Sequence, residues 1–108
     1  MQETLDFVYA KLKEQGCKSV NPATGLCAYR GKFGIKCAIG WLIPDEKYNM
    51  EMENVSARVL VSRFPELKPI LGGFDPWMLK QIQEELHDDL DDQLSGLDAA
   101  YEALCKRF

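Results

Sequence analysis

No stretch of the chain approaches the roughly 20 consecutive apolar residues that span a bilayer. Near its middle no uninterrupted apolar run is longer than Trp41-Leu42-Ile43. Residues 1–16 are amphipathic and of mixed charge, without the basic start and apolar core of an export signal. The expectation is a cytoplasmic protein that does not enter a membrane. There is no Gly-rich phosphate loop, no Ser-His-Asp order and no dinucleotide fingerprint. Repeats, low-complexity tracts and interdomain linkers are missing as well. The 108 residues therefore read as a single globular domain, residues 1–108, with one modest core.

Close cysteine pairs are also missing. Zinc is usually held by paired ligands such as Cys-x2-Cys, whereas Cys17, Cys27 and Cys37 lie ten residues apart. Without an export signal, the four cysteines read as packed thiols and not as disulfides. A zinc site drawn from Cys27, Cys37, His87 and either Cys17 or Cys105 is a second reading. Nor is there a coherent basic face. Ten Lys/Arg stand against eight Asp/Glu up to residue 72, and three against nine beyond it. This balance argues against direct nucleic-acid binding. It leaves open an acidic surface that meets a basic partner.

What is present is local and dense. Leu5, Val8, Tyr9 and Leu12 form one stripe of a helix over 3–15, with Gly16 where a cap belongs. Residues 21–25, Asn-Pro-Ala-Thr-Gly, read as a turn. Leu26 to Ala38 reads as a β-hairpin about Gly31-Lys32-Phe33-Gly34, with Cys27 facing either Cys37 or Ile39. Residues 37–43 have a second reading, as the start of a short buried helix ended by Pro44. Asn54 is placed to cap a helix over 55–64, and Leu67, Ile70 and Leu71 suggest one further turn. Asp75-Pro76 is the strongest helix start, with Leu79, Ile82, Leu86 and Leu90 as its buried stripe. Ser95 and Asp98 are spaced as a capping box for a last helix, continuous with the preceding one or separate from it. The expected fold class is α+β: a mostly helical domain of four to five helices with one small β-hairpin. Trp41, Phe64, Trp77, Leu79, Leu86 and Tyr101 are expected to close its core.

Two groups of residues carry candidate chemistry. Cys37, His87 and Asp88 have the residue types of a cysteine hydrolase. Against this, Cys37 precedes an apolar run, and neighbours on an α-helix point about 100° apart, so Asp88 is badly placed to orient His87. The plainer reading of His87 is a half-buried imidazole bonded to a loop carbonyl. Glu84, His87, Asp88 and Asp91 share one helical face, but a metal there needs ligands from a second element, and the Glu-x-x-His pattern occurs once. The expectation is no cofactor, no metal and no catalytic residue. The alternative is a small cysteine-dependent hydrolase or metal-binding protein using Cys37 and His87.

The second group is for binding. The acidic cluster Glu84, Glu85, Asp88, Asp89, Asp91 and Asp92 reads first as a solvated face. Its sharper uses are docking on the chain's own basic turn or presenting negative charge to another protein. The basic turn itself, Arg30, Lys32, Phe33 and Lys36, is the other candidate surface, because an aromatic at a hairpin tip can anchor a partner.

Cys27-Ala28-Tyr29-Arg30, Gly34-Ile35-Lys36-Cys37-Ala38-Ile39-Gly40 and Leu42-Ile43-Pro44-Asp45-Glu46-Lys47-Tyr48, with Leu86-His87-Asp88 near the end, resemble a family of small uncharacterised phage and prophage proteins. The resemblance spans about residues 15–90. It implies an accessory protein in the cytoplasm of a bacterial host, and it implies no reaction. The functional expectation is a phage-encoded interaction protein that binds and modulates a bacterial host protein without catalysis. A homodimer held by opposite charges is a third alternative.

Overall fold

A computed structural model describes residues 2–108. Five α-helices follow in order: α1 (Gln2–Gln15), α2 (Leu60–Arg63), α3 (Lys68–Leu71), α4 (Pro76–Gln83) and α5 (Leu97–Arg107). The Leu5, Val8 and Leu12 stripe makes the buried face of α1. Gly16, at φ 74, stops that helix, and its N–H closes on the Leu12 carbonyl at 2.8 Å; this is the left-handed cap that glycine supplies without a Cβ clash. α5 lies along α1. The Tyr9 and Tyr101 rings stack between them at 4.1 Å. α4 begins as Asp75-Pro76 dictates: the Asp75 carboxylate accepts the Trp77 N–H at 2.8 Å. It then widens into a π turn over Glu84–Asp88. A 3-10 turn, Ile39–Leu42, lies against both α1 and α4, and Leu60, Leu67 and Leu71 close the core from the short helices. Among the described residues no helix is long and apolar enough to cross a membrane.

The expected α+β class is corrected to a helical one. Among the described residues there is no strand and no β-hairpin; Cys27 makes only an isolated antiparallel bridge to Val20. The turn chemistry anticipated at the tip does form. Phe33 (φ 59) and Gly34 (φ 79) have consecutive positive φ values, as in a type I′ turn, and Ile35 N–H reaches the Lys32 carbonyl at 3.3 Å. The ladder stays incomplete: two backbone bonds join the arms, from Gly31 N–H to the Ile35 carbonyl at 2.8 Å and from Cys37 N–H to the Ala28 carbonyl at 3.2 Å, while side chains from distant segments take other backbone groups. The Glu53 carboxylate accepts the N–H groups of Tyr29 and Arg30 at 3.0 and 3.1 Å. The Gln15 amide accepts the Lys36 N–H and donates to the Lys36 carbonyl, each at 2.9 Å. Gln15 thus stands where a neighbouring strand would be. The Arg30 guanidinium donates to the carbonyls of Tyr29, Gly40 and Ile43.

Other expectations shift in detail. Asn54 sits at φ 66 and caps nothing, and the helix expected over 55–64 shrinks to α2. Gly96, at φ 85, precedes α5 in place of a Ser95 cap. Residues 76–107 are therefore two helices, and Asp98 instead receives the Tyr9 hydroxyl and the Lys13 ammonium. Trp77 does not close the core: it is 60% exposed, with Arg58 and Lys80 against its ring. Trp41, Phe64 and Tyr101 are only partly buried, and the largest fully buried side chain is Tyr29.

Gly40 is packed with no room for a side chain. A Cβ there would lie 2.4 Å from the Tyr29 carbonyl oxygen, a backbone atom that cannot swing away. Gly40→Ala is expected to destabilise the protein by about 1–3 kcal/mol, as overpacking does. The measurement is urea denaturation: a lower midpoint at unchanged slope is expected, and an unchanged midpoint contradicts the close approach.

Candidate functional site

The packing that replaces the hairpin divides the basic turn into two kinds of residue. Arg30 and Lys36 face inward. Arg30, besides its three carbonyl partners, lies 3.1 Å from Asp45 Oδ1 and 4.8 Å from the centroid of the Tyr48 ring. Lys36 sits over the Trp41 ring at 4.5 Å and 3.8 Å from the same Asp45 carboxylate. Both cations hold the segment together. Lys32 and Phe33 face outward. Phe33 is 100% exposed.

Two depressions flank Phe33. One, of about 210 Å³, runs between α1 and the turn, lined by Lys11, Glu14, Gln15, Ile35 and Trp41. The other, of about 530 Å³, is lined by Lys18, Val20, Pro22, Lys32, Ile35 and Asp92. The turn thus stands as a ridge with an aromatic tip and walls of mixed polarity below it. Its backbone adds to the case. A non-glycine residue at φ 59 carries a steric cost of about 1–2 kcal/mol. Here the ring gains nothing for the fold in return, since it packs against nothing.

Cys37 and His87 lie in the interior, each 0% exposed. Burial pushes the Cys37 thiol well above its ordinary range, and the neighbouring Cys27 thiol adds to the shift. A thiol so placed stays protonated and does not act as a nucleophile. Ellman titration of the native protein is therefore expected to label Cys17, Cys27 and Cys105, which are partly exposed, before Cys37. Labelling of all four at one common rate contradicts the burial.

His87 has both nitrogens occupied. Nε2 accepts the Ser19 backbone N–H at 2.9 Å, and Nδ1 donates to Asp88 Oδ1 at 2.7 Å. Two expectations change. The backbone partner is an N–H, not a loop carbonyl, and Asp88 does orient His87. The reason is the π turn: a wider turn separates successive residues by a smaller angle than an α-helix does, so the Asp88 carboxylate reaches back to its neighbour. Gln83 completes the group, donating to Asp88 at 2.8 Å and accepting the Ile39 N–H at 2.9 Å. These bonds tie α4 to residue 19 and to residue 39. They leave no nitrogen of His87 free for a substrate or a metal. Among the described residues no three His, Cys, Asp or Glu side chains converge as a metal site.

The acidic cluster is largely engaged within the molecule. Glu84 pairs with Lys80, Glu85 receives the Arg107 guanidinium with both oxygens, and Asp88 belongs to the His87 group. Asp91 accepts the N–H groups of Gln93 and Ser95, which holds its carboxyl below the usual range. Among the described residues Asp89 and Asp92 have no ion pair. The basic turn does not receive these carboxylates; its acidic partner is Asp45.

Sequence reasoning missed Gln15, Glu53 and Asp45, which shape the turn, and Trp41, Val20 and Pro22 as walls beside Phe33. No periodicity signals them, because their partners lie outside the local helix and strand repeats: Gln15 acts on Lys36, Glu53 on Tyr29 and Arg30, and Asp45 on Arg30. Compared with known proteins, the chain matches no family model, no curated protein and no solved structure.

Proposed function

We propose that the protein is a non-catalytic interaction protein of the phage-accessory type, which binds and modulates a bacterial host protein through its Phe33 face. One observation carries the binding surface: a fully exposed phenylalanine held at positive φ between two depressions. Strain kept at a residue that does nothing for stability points to use elsewhere, and an exposed aromatic is the usual anchor of a protein interface. The phage and host assignment rests on the motif resemblance in residues 15–90. The enclosed positions of Cys37 and His87 speak against the hydrolase and metal alternatives.

Phe33→Gly separates fold from binding. Glycine accepts the left-handed conformation without the Cβ penalty, so the variant is expected to be about 1 kcal/mol more stable than the parent. It is also expected to lose its partner in affinity purification from a bacterial lysate. A protein recovered equally by both forms, or none recovered by the parent, sinks the reading.

A further inference from the structure

Beside Phe33 the backbone leaves one hydrogen-bonding edge unfilled. Asn21 N–H bonds to the Leu26 carbonyl at 2.8 Å and Ala28 N–H to the Ser19 carbonyl at 2.9 Å, on either side of the Val20–Cys27 bridge. In antiparallel pairing, a residue between two such bonds directs its own N–H and C=O away from its partner. Val20 therefore turns both groups outward, and among the described residues neither has a hydrogen-bond partner. Two residues earlier, on the same side by the strand repeat, the Lys18 N–H meets the Asp92 carbonyl at 2.9 Å and the Lys18 carbonyl has no partner. This side of the segment borders the depression of about 530 Å³, which Lys18, Val20 and Asp92 line on one side and Lys32, Phe33 and Ile35 on the other.

The charges of the depression are opposed. Lys18 bonds to the Asp88 and Leu90 carbonyls and lies near the Asp91 carboxylate. Asp92 and Lys32 are without an ion pair among the described residues. Asp92 marks the Lys18 end. Lys32 marks the other end, since a second depression, of about 370 Å³, shares only Val20, Pro22 and Lys32 with the first.

We infer that the occupant of the Phe33 face is a short extended segment of the partner, added as a strand to the Val20 edge. Its backbone bonds to the Val20 N–H and C=O, the Phe33 ring covers an apolar side chain, and an acid and a base at its two ends meet Lys32 and Asp92. The inference rests on the Phe33 face being the binding surface. In strand addition main-chain bonds hold the peptide and alternate side chains specify it. A free donor and acceptor on one residue suit an extended backbone, which offers both together. Shape opposes a second copy of the chain, whose own Val20 lies in a depression beside a projecting ring.

The experiment selects binders from a random linear peptide library on the full chain and resynthesises the best with single backbone N-methyl groups. Methylation at two residues spaced two apart, opposite the Val20 and Lys18 carbonyls, is expected to weaken binding about tenfold each, as for a lost hydrogen bond. Methylation of the residue between them is expected to change it little. Hydrogen exchange at the Val20 amide slows about tenfold on binding. Phe33→Gly abolishes binding, and Lys32→Glu selects peptides with a base in place of the acid. Peptides lost with Phe33→Gly but lacking the alternation, the slowed Val20 amide or the charge exchange overturn the inference and leave the Phe33 face standing. Peptides bound equally by Phe33→Gly overturn the inference and the Phe33 face together. A Val20 amide that becomes protected in the free protein as concentration rises overturns it in favour of a second copy. A library that yields no binder overturns it too, and the lysate purification then decides the Phe33 face alone.

Discussion

Glu53→Ala is expected to lower the stability of the protein by about 3 kcal/mol. The carboxylate accepts the backbone N–H groups of Tyr29 and Arg30 and the Tyr48 hydroxyl. Removing it leaves donors in a part-buried setting without acceptors, at about 1–3 kcal/mol for each group that water does not reach. A small domain has only about 5–15 kcal/mol in total. Glu53→Gln sharpens the test. It keeps the volume but turns one acceptor oxygen into a donor, facing N–H or O–H groups that also donate. The glutamine variant is expected to fall between the parent and alanine, at about half the loss. Urea denaturation measures both, and near-parental stability of either would falsify the account of why residues 26–38 do without a strand partner. The loss is also expected to be local at first: hydrogen exchange at Tyr29 and Arg30 rises before that of α1.

His87→Phe is the second large effect. Phenylalanine preserves an aromatic ring in a site with no solvent access, so a cavity contributes little. The polar consequences dominate. The Ser19 N–H loses its acceptor, and Asp88 loses the Nδ1 donor that holds it beside Gln83. The expected cost is about 2–4 kcal/mol, the size seen when a buried hydrogen-bonding group loses its partner. Because Gln83 also accepts the Ile39 N–H, the damage passes from the π turn to the 3-10 turn at 39–42. A double variant with Gln83→Leu is expected to cost less than the two single losses added together, since both act on one network. Strict additivity sinks the idea of a shared network. A catalytic His87 predicts the opposite pattern, with activity lost and stability kept.

The local signals in the chain were legible because local physics writes them. The i, i+3, i+4, i+7 stripe of Leu5, Val8 and Leu12 and the glycine after it define α1. Asp75-Pro76 defines the start of α4, since a side-chain acceptor and a residue without an N–H meet the needs of a helix N-terminus wherever they stand. The turn residues at 33–34 declared a tight reversal. Trp77 shows the limit of such reasoning: on its helix an aromatic reads as core, yet Arg58 and Lys80 cover its ring at the surface. Asn54 shows another, because a residue that caps helices also tolerates the left-handed region it occupies here.

Spacing and turn chemistry alone determined where α1 runs, where α4 begins, and that Phe33 stands at the tip of a tight turn. Tertiary structure alone decided that the turn carries no hairpin, that Arg30 and Lys36 serve the fold while Lys32 and Phe33 face outward, and that His87 is oriented by its neighbour. The physical reason is common to all three. Each depends on which distant side chain, Glu53, Gln15, Asp45 or Ser19 through its backbone, reaches a polar group first, and hydrogen bonds across such separations leave no periodicity in a sequence.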